Sequence, residues 1–238
     1  MIVAIHQPNF FPWLGYFNKI AKSEVFVFMD DVQYPMTGKG CWVNRVKMVI
    51  SGQERWVTCP IKRQRSKMLI KDIAMDVGSD WKVKTVRAIE HSYKKAPRFN
   101  ESWKEIKKMI LADECNLSKY NIQTIKLICK LLKITAPRFI IQNGLQTGER
   151  STRLLIEIVK KVKGDTYLCG GGASGYQVDN IFAGDVKLIY QDFNHPVYEQ
   201  FNTKEFVKGL SIIDCIFNIG AEQARKIVSG EKLGNKYT

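Results

Sequence analysis

IVAIHQPNFFPWLGYFNKI, residues 2–20, and VFVFMDD, residues 25–31, decide the fold. Residues 2–5 are apolar and β-favouring without interruption, the pattern of a strand buried on both faces. His6 leaves at the carboxyl end of that strand. Pro8 and Pro12 forbid a helix through the next stretch, so His6, Asn9 and Trp13 lie on a stiff loop. A short helix over about 15–22 follows and carries Tyr16. The second apolar run, 25–29, reads as another strand and ends in Asp30 and Asp31. A strand, a helix and a strand with a crossover of about nineteen residues make a βαβ unit. In open α/β sheets ligands bind outside the carboxyl ends of the strands. One histidine and two aspartates delivered there together read as a site. Taken singly, each is better read as a capped histidine or a turn aspartate.

Outward from this unit, residues 41–50 and 55–61 alternate around Ser51-Gly52 and predict a β-hairpin. Another strand is expected over 69–76. From Asp80 the period becomes helical: Trp81, Val83, Val86, Ile89 and Tyr93 recur on one face, and Pro97 closes that helix. Helices are expected over 101–112 and 117–133, the second capped by Asn116 or Ser118, and over 150–163 from Ser151-Thr152. Strands follow over 138–142, 167–170, 186–190 and 196–201, then helices over 210–219 and 221–229. Strand and helix alternate at both ends around a helical block. The expected fold is α/β, a central mixed or mostly parallel Rossmann-like sheet with the helices packed against it. One domain over 1–238 with a helical subdomain at about 80–135 fits this reading.

Apolar residues make up 45% of the chain and charged residues 25%, enough for a real core. No run approaches the ~20 apolar residues of a membrane span, and no secretory signal pattern opens the chain. The expected location is the cytoplasm. Six cysteines stand at 41, 59, 115, 129, 169 and 215, with no C-x-x-C pair, so a zinc ribbon or thioredoxin motif is excluded on spacing. With 37 basic and 23 acidic side chains the formal charge is +14. Such a field attracts polyanions, yet no nucleic-acid-binding pattern is present. Nucleotide-sugar diphosphates or an acidic carrier protein suit the charge, and a lysine-rich composition explains much of it without any ligand.

His6 titrates near neutrality in its unperturbed state, which suits a general base for an incoming amine or, as imidazolium, a phosphate contact. A purely structural histidine in a proline-bounded loop is the competing reading. Asp30 could orient His6, and on an extended chain only one of Asp30 and Asp31 faces a given pocket. D-x-D spacing is absent and no metal is expected. Trp42, Asn44 and Arg45 are expected on one strand, with Trp42 and Asn44 sharing a face that could stack on and hydrogen-bond a sugar or base. Arg45 opposes them unless the strand ends there, in which case its fork suits a diphosphate. Gly170, Gly171 and Gly172, with Ser174, Gly175 and Tyr176 beyond, can present backbone N–H groups to a phosphate or oxyanion. Gly170, Gly172 and Gly175 match G-x-G-x-x-G literally and Asp192 stands near the spacing of a ribose-binding acid. However, the motif comes late in the chain and no clear second strand carries that acid, so a dinucleotide site is the lesser alternative.

HQPNFFPWLGYFNKIAKSEVFVFMDDVQY at 6–34, WVNR at 42–45 and LSIIDCIFNIG at 210–220 resemble the WbqC-like family. Tyr93-Lys-Lys-Ala-Pro97 and Tyr167-Leu-Cys-Gly170-Gly171-Gly172 with Tyr176 extend the likeness over almost the whole chain. Cys169 stands where serine or another small residue is expected. The strand, histidine loop, helix and Asp-ended strand also resemble nucleotidyltransferase-like Rossmann folds. The two-histidine motif of those enzymes is missing, because Gly15 and Tyr16 occupy its second position. The family resemblance implies bacterial O-antigen and surface-polysaccharide pathways, and amide formation on a nucleotide-linked amino sugar. His6 and Asp30 would be catalytic. Asn9, Trp13, Tyr16, Asp31, Trp42, Asn44, Arg45, Gly170, Gly171, Gly172 and Tyr176 would bind substrate. No tightly bound cofactor is expected; the acyl donor would be a thioester on coenzyme A or an acyl-carrier-type protein. The alternative is a non-catalytic nucleotide-sugar-binding or assembly protein of the same pathway.

Overall fold

The computed structural model describes residues 1–35, 41–62, 67–135, 137–171, 179–182, 184 and 186–231. In chain order the strands are β1 (Ile2–His6), β2 (Val25–Phe28), β3 (Arg45–Ile50), β4 (Gln53–Thr58), β5 (Arg138–Ile141), β6 (Thr166–Cys169) and β7 (Lys187–Tyr190). The helices are α1 (Leu14–Ala21), α2 (Trp81–Tyr93), α3 (Phe99–Ile110), α4 (Leu117–Leu131), α5 (Ser151–Lys161), α6 (Ile212–Ile219) and α7 (Ala221–Ser229). Five strands form one sheet in the order β5-β2-β1-β6-β7, and every pairing in it is parallel. The fold is α/β, as the apolar runs predict.

Period-two alternation divides the two faces of the sheet. Val3, Ile5, Val25 and Val27 point to one side, against Leu154, Leu155, Ile158 and Val159 of α5. Ala4, Phe26 and Phe28 point to the other, into the larger core with Phe17 and Ile20 of α1, Ile128 of α4 and Ile216 of α6. Helices therefore cover both faces, the condition under which a parallel sheet can be apolar throughout. From β1 the chain moves outward to β2 and then β5. It then returns across the sheet to β6 on the other side of β1. The direction reverses between β1 and β6, and their carboxyl ends form the topological switch point where open α/β sheets hold ligands.

Between β2 and β5 the chain inserts the hairpin and the helices α2–α4. β3 and β4 form a separate antiparallel pair. Residues 69–76 are not a strand; they make a 3₁₀ turn at Ile70–Asp72 whose backbone bonds to Asp30 and Val32. Residues 196–201 are not a strand either. Tyr198 and Gln200 there turn inward to Asp214 on α6, with Tyr198 Oη donating at 2.8 Å and Gln200 Nε2 at 3.1 Å. Tyr93 Oη donates to the same carboxylate at 2.8 Å, and this bond joins α2 to the C-terminal helices. Asn116 is the cap of α4, its side-chain oxygen accepting from Lys119 N–H at 2.9 Å. Gly220, between α6 and α7, has φ +89°, a conformation that glycine adopts without a Cβ penalty. Among the described residues no helix is long and apolar enough to cross a membrane.

Candidate functional site

The loop after β1 is fixed from four directions. Phe10 N–H donates to Trp42 O at 2.9 Å, and Asn121 Nδ2 donates to Pro8 O at 2.8 Å. Ser211 Oγ reaches Phe11 O, and Ile212 N–H reaches Pro12 O, each at 2.8 Å. Phe11 sits at φ +39°, a strained value for a bulky residue, and these four bonds hold it there. The tail segment LSIIDC thus has a local purpose: its serine and first isoleucine clamp the N-terminal loop.

Behind this loop, at the ends of β1, β6 and β7, lies a cavity of about 790 Å³. That is large enough for a substantial organic ligand, since ligand pockets run to ~300–1,000 Å³. Trp13, Tyr16, Trp42, Tyr167 and Phe193 supply its aromatic surface. Trp13 and Trp42 lie with centroids 5.1 Å apart, and Trp56 continues the series 5.0 Å beyond Trp42. Gly15 allows this closure: a Cβ there would stand 3.0 Å from Trp13 Nε1 and 3.1 Å from Phe193. Gly170 and Gly171 also line the cavity, and a Cβ on either would meet nothing within 4 Å.

His6 lines this cavity, partly buried between Tyr16 and Trp13, at ring-centroid distances of 4.7 and 5.9 Å. Burial, with the nearby Lys19 charge, pushes its pKa down to about 3. The ring is therefore neutral at physiological pH. Nδ1 lies 3.1 Å from Gln7 O, an acceptor, so Nδ1 carries the proton and Nε2 the lone pair. Tyr16 Oη donates to the same carbonyl at 2.9 Å. Asn9 is buried, with Oδ1 unpartnered, beside the same cavity.

Asp30 does not reach this site. It lines a second cavity of about 340 Å³ with Lys71, Ser118, Lys126 and Asn143. Its carboxylate accepts from Ser118 Oγ at 3.4 Å and Asn143 N–H at 3.3 Å, and burial pushes its pKa up. The orientation of His6 expected from Asp30 comes from the Gln7 carbonyl. Asp31 pairs with Lys71 Nζ at 2.6 Å. Asn44 does not share a pocket with Trp42, because the strand begins only at Arg45; its Nδ2 donates to Cys59 O at 3.1 Å. Arg45 donates through Nε to Cys41 O at 3.0 Å, and its guanidinium stacks 4.5 Å above the Trp56 ring. Neither Asn44 nor Arg45 lines the main cavity. His6, Asn9, Trp13, Tyr16, Trp42, Gly170 and Gly171 come together, while Gly172 and Tyr176 lie outside the described residues.

The sequence reading overlooked Gln7, Lys19, Tyr167, Gln191 and Phe193. Gln191 Nε2 donates to Gly15 O and to Asn18 Oδ1, both at 2.7 Å. Lys19 carried a legible signal: α1 is buried along Leu14–Ile20, so a lysine in it is anomalous. Among the described residues no three His, Cys, Asp or Glu converge as metal ligands.

The model of the WbqC-like protein family matches residues 7–226. The chain belongs to that family. The match takes in every cavity residue from Gln7 onward, with Ile5 and His6 immediately before it. The uncharacterized protein Rv1507c of Mycobacterium tuberculosis is 30% identical over 224 residues, covering 92% of this chain and 94% of its own. No solved structure matches the chain.

Proposed function

We propose that this protein is an enzyme of bacterial surface-polysaccharide biosynthesis that forms an amide on a nucleotide-linked amino sugar. The acyl or aminoacyl group, for instance glycyl, would come from a thioester on coenzyme A or on an acidic acyl-carrier-type protein. Membership of the WbqC-like family supports the pathway. The observation that carries the chemistry is His6: a neutral imidazole, fixed through Nδ1, with its Nε2 lone pair left for a ligand in an aromatic cavity.

The reaction places few demands on such a site. The sugar amine attacks the thioester carbonyl carbon, a C–N bond forms, and the carbonyl oxygen becomes an oxyanion. Nε2 of His6 takes the proton from the new ammonium nitrogen. Burial and the Lys19 charge hold the pKa of the free imidazole down to about 3, so this step requires the bound anionic ligand and the developing oxyanion to offset them. The oxyanion collapses, the C–S bond breaks, and that proton passes to the leaving thiolate. Gly170 and Gly171 line the same cavity, and their backbone amides are the groups we assign to the oxyanion. Trp13, Trp42 and Tyr16 offer stacking faces to sugar and base.

Thermal shift with a panel of nucleotide-linked sugars and acyl thioesters tests the proposal. At ten times Kd a ligand stabilises by about 1.4 kcal/mol, which is ~3–6 °C for a chain of this length. Shifts from both classes are expected. A shift from neither contradicts an enzyme of this type and favours an assembly role.

A further inference from the structure

Lys19 is 3% exposed on a helix buried almost all round, and it is one of the residues that line the main cavity. A buried ammonium is expensive unless a carboxylate faces it. Among the described residues none does: no carboxylate oxygen lies within 4.0 Å of Nζ. Its hydrogen bond is to Ile5 O at 2.8 Å, and the Tyr167 ring centroid is 5.7 Å away. One carbonyl acceptor serves three N–H donors, and the titratable neighbour that favours the charge is Cys169 on β6, a thiol and not a carboxylate. A methionine or leucine would fill the same volume at less cost, so packing alone does not explain a lysine here.

Its position does. Nζ bonds to the last carbonyl but one of β1, and the cavity wall continues through Tyr167 to Gly170 and Gly171 at the end of β6. This is the sheet's switch point, where the loop ends of parallel strands receive anionic groups. His6 shares the cavity and bears no charge, so it neither neutralises Lys19 nor competes for an anion.

We infer that Lys19 is a seat for phosphate, the charge partner of a diphosphate or phosphoester group on the ligand of the main cavity. This deepens the proposed function and rests on it only for which molecule carries the phosphate. An ammonium is a point charge suited to a phosphate oxygen, and its neighbourhood is already desolvated. The site also implies a pH dependence. Burial holds Lys19 down to about 8, so the free protein begins to lose this charge just above neutrality, and a bound anion restores it.

The test is calorimetric titration of the full chain with pyrophosphate, comparing wild type, Lys19→Met and the exposed control Lys104→Met, which removes the same charge elsewhere. Lys19→Met is expected to weaken binding by about 10–100-fold, the loss of one charge-assisted hydrogen bond. Lys104→Met should match wild type, and the melting temperature of Lys19→Met should hold or rise because a buried charge has gone. In the wild type alone, NMR of lysine side chains should show pyrophosphate moving the Lys19 titration to higher pH; this reading stands even if the variant folds poorly. Equal pyrophosphate affinity in wild type and Lys19→Met, or a Lys19 titration that pyrophosphate leaves in place, overturns the inference. Parallel titrations with a nucleotide-linked amino sugar and with coenzyme A locate the source, since only the true carrier should lose affinity in Lys19→Met. If the sugar nucleotide binds equally to both forms and pyrophosphate does not distinguish them, the seat is wrong while the proposed substrate survives. If pyrophosphate distinguishes them but no sugar nucleotide binds, the seat stands and the proposed substrate fails.

Discussion

Replacing Asn121 with leucine should unfasten the two loops that carry Trp13 and Trp42. Asn121 is fully buried on α4, and its Nδ2 donates to Pro8 O at 2.8 Å and to Val43 O at 2.6 Å. Its Oδ1 has no partner, so the residue is kept for its donors. Leucine has a similar volume and leaves both carbonyls in the core without those donors. Each orphaned carbonyl costs ~1–3 kcal/mol. Removal of the unpaired Oδ1 and the added apolar burial return about 1–2 kcal/mol. At the midpoints of these ranges the net loss is about 2.5 kcal/mol, or ~5–10 °C in Tm for a chain of this size. Urea unfolding measures it directly: the midpoint should fall while the slope, which reports exposed surface, stays constant. A loss under ~0.5 kcal/mol would mean that the loops are held by other contacts and that Asn121 is not their tie.

The pH dependence of stability has two signatures. The His6 pKa is depressed from 6.5 to about 3, so below pH 6.5 the unfolded chain binds more protons. This contribution to stability is present above 6.5 and is lost as pH falls toward 3. Lys19 is depressed from 10.5 to about 8, so between those values stability rises with pH. Urea midpoints across both ranges should show limbs that flatten in His6→Asn and Lys19→Met respectively; unchanged limbs would contradict the buried placement. Cys169 is fully buried on β6, with the Lys19 charge as an electrostatic neighbour and no basic residue adjoining it in sequence to take its proton. Cys169→Ser should keep most of its turnover, and intact-protein mass after exposure to an acyl thioester should show no adduct at this position. A folded, inactive variant that can no longer be acylated would make Cys169 the nucleophile.

The fold was legible wherever one physical rule dominated. Two apolar runs joined through a proline-stiffened loop and a short helix marked a βαβ unit in a mixed or mostly parallel sheet, and the period of 3.6 from Trp81 to Tyr93 marked α2. Extended-looking segments misled where side chains dictate the path: 196–201 follows Tyr198 and Gln200 inward to Asp214, and 69–76 follows the turn that bonds to Asp30. Half of the site was legible because His6, Asn9, Trp13 and Tyr16 sit within eleven residues of one another. The pairing of His6 with Asp30 was not, because adjacency of two strands does not decide which way the chain turns after each. Asp30 leaves β2 toward Ser118 and Asn143, into a separate cavity. Lys19 was hidden among surface lysines in a chain of charge +14, although its position in an otherwise apolar helix set it apart.

Turnover by His6→Asn, measured beside its melting temperature, tests the central claim. Wild type supplied with a nucleotide-linked amino sugar and an acyl thioester should yield the amide, detected by mass. His6→Asn should slow this by ~10²–10⁴-fold, the usual loss on removing a positioned base, with the melting temperature and sugar-nucleotide binding preserved. Asp30→Asn, in the other cavity, should change the rate far less. A His6→Asn protein that is as stable and as active as wild type, or one that simply melts early, would show that His6 supports the loop and not the reaction.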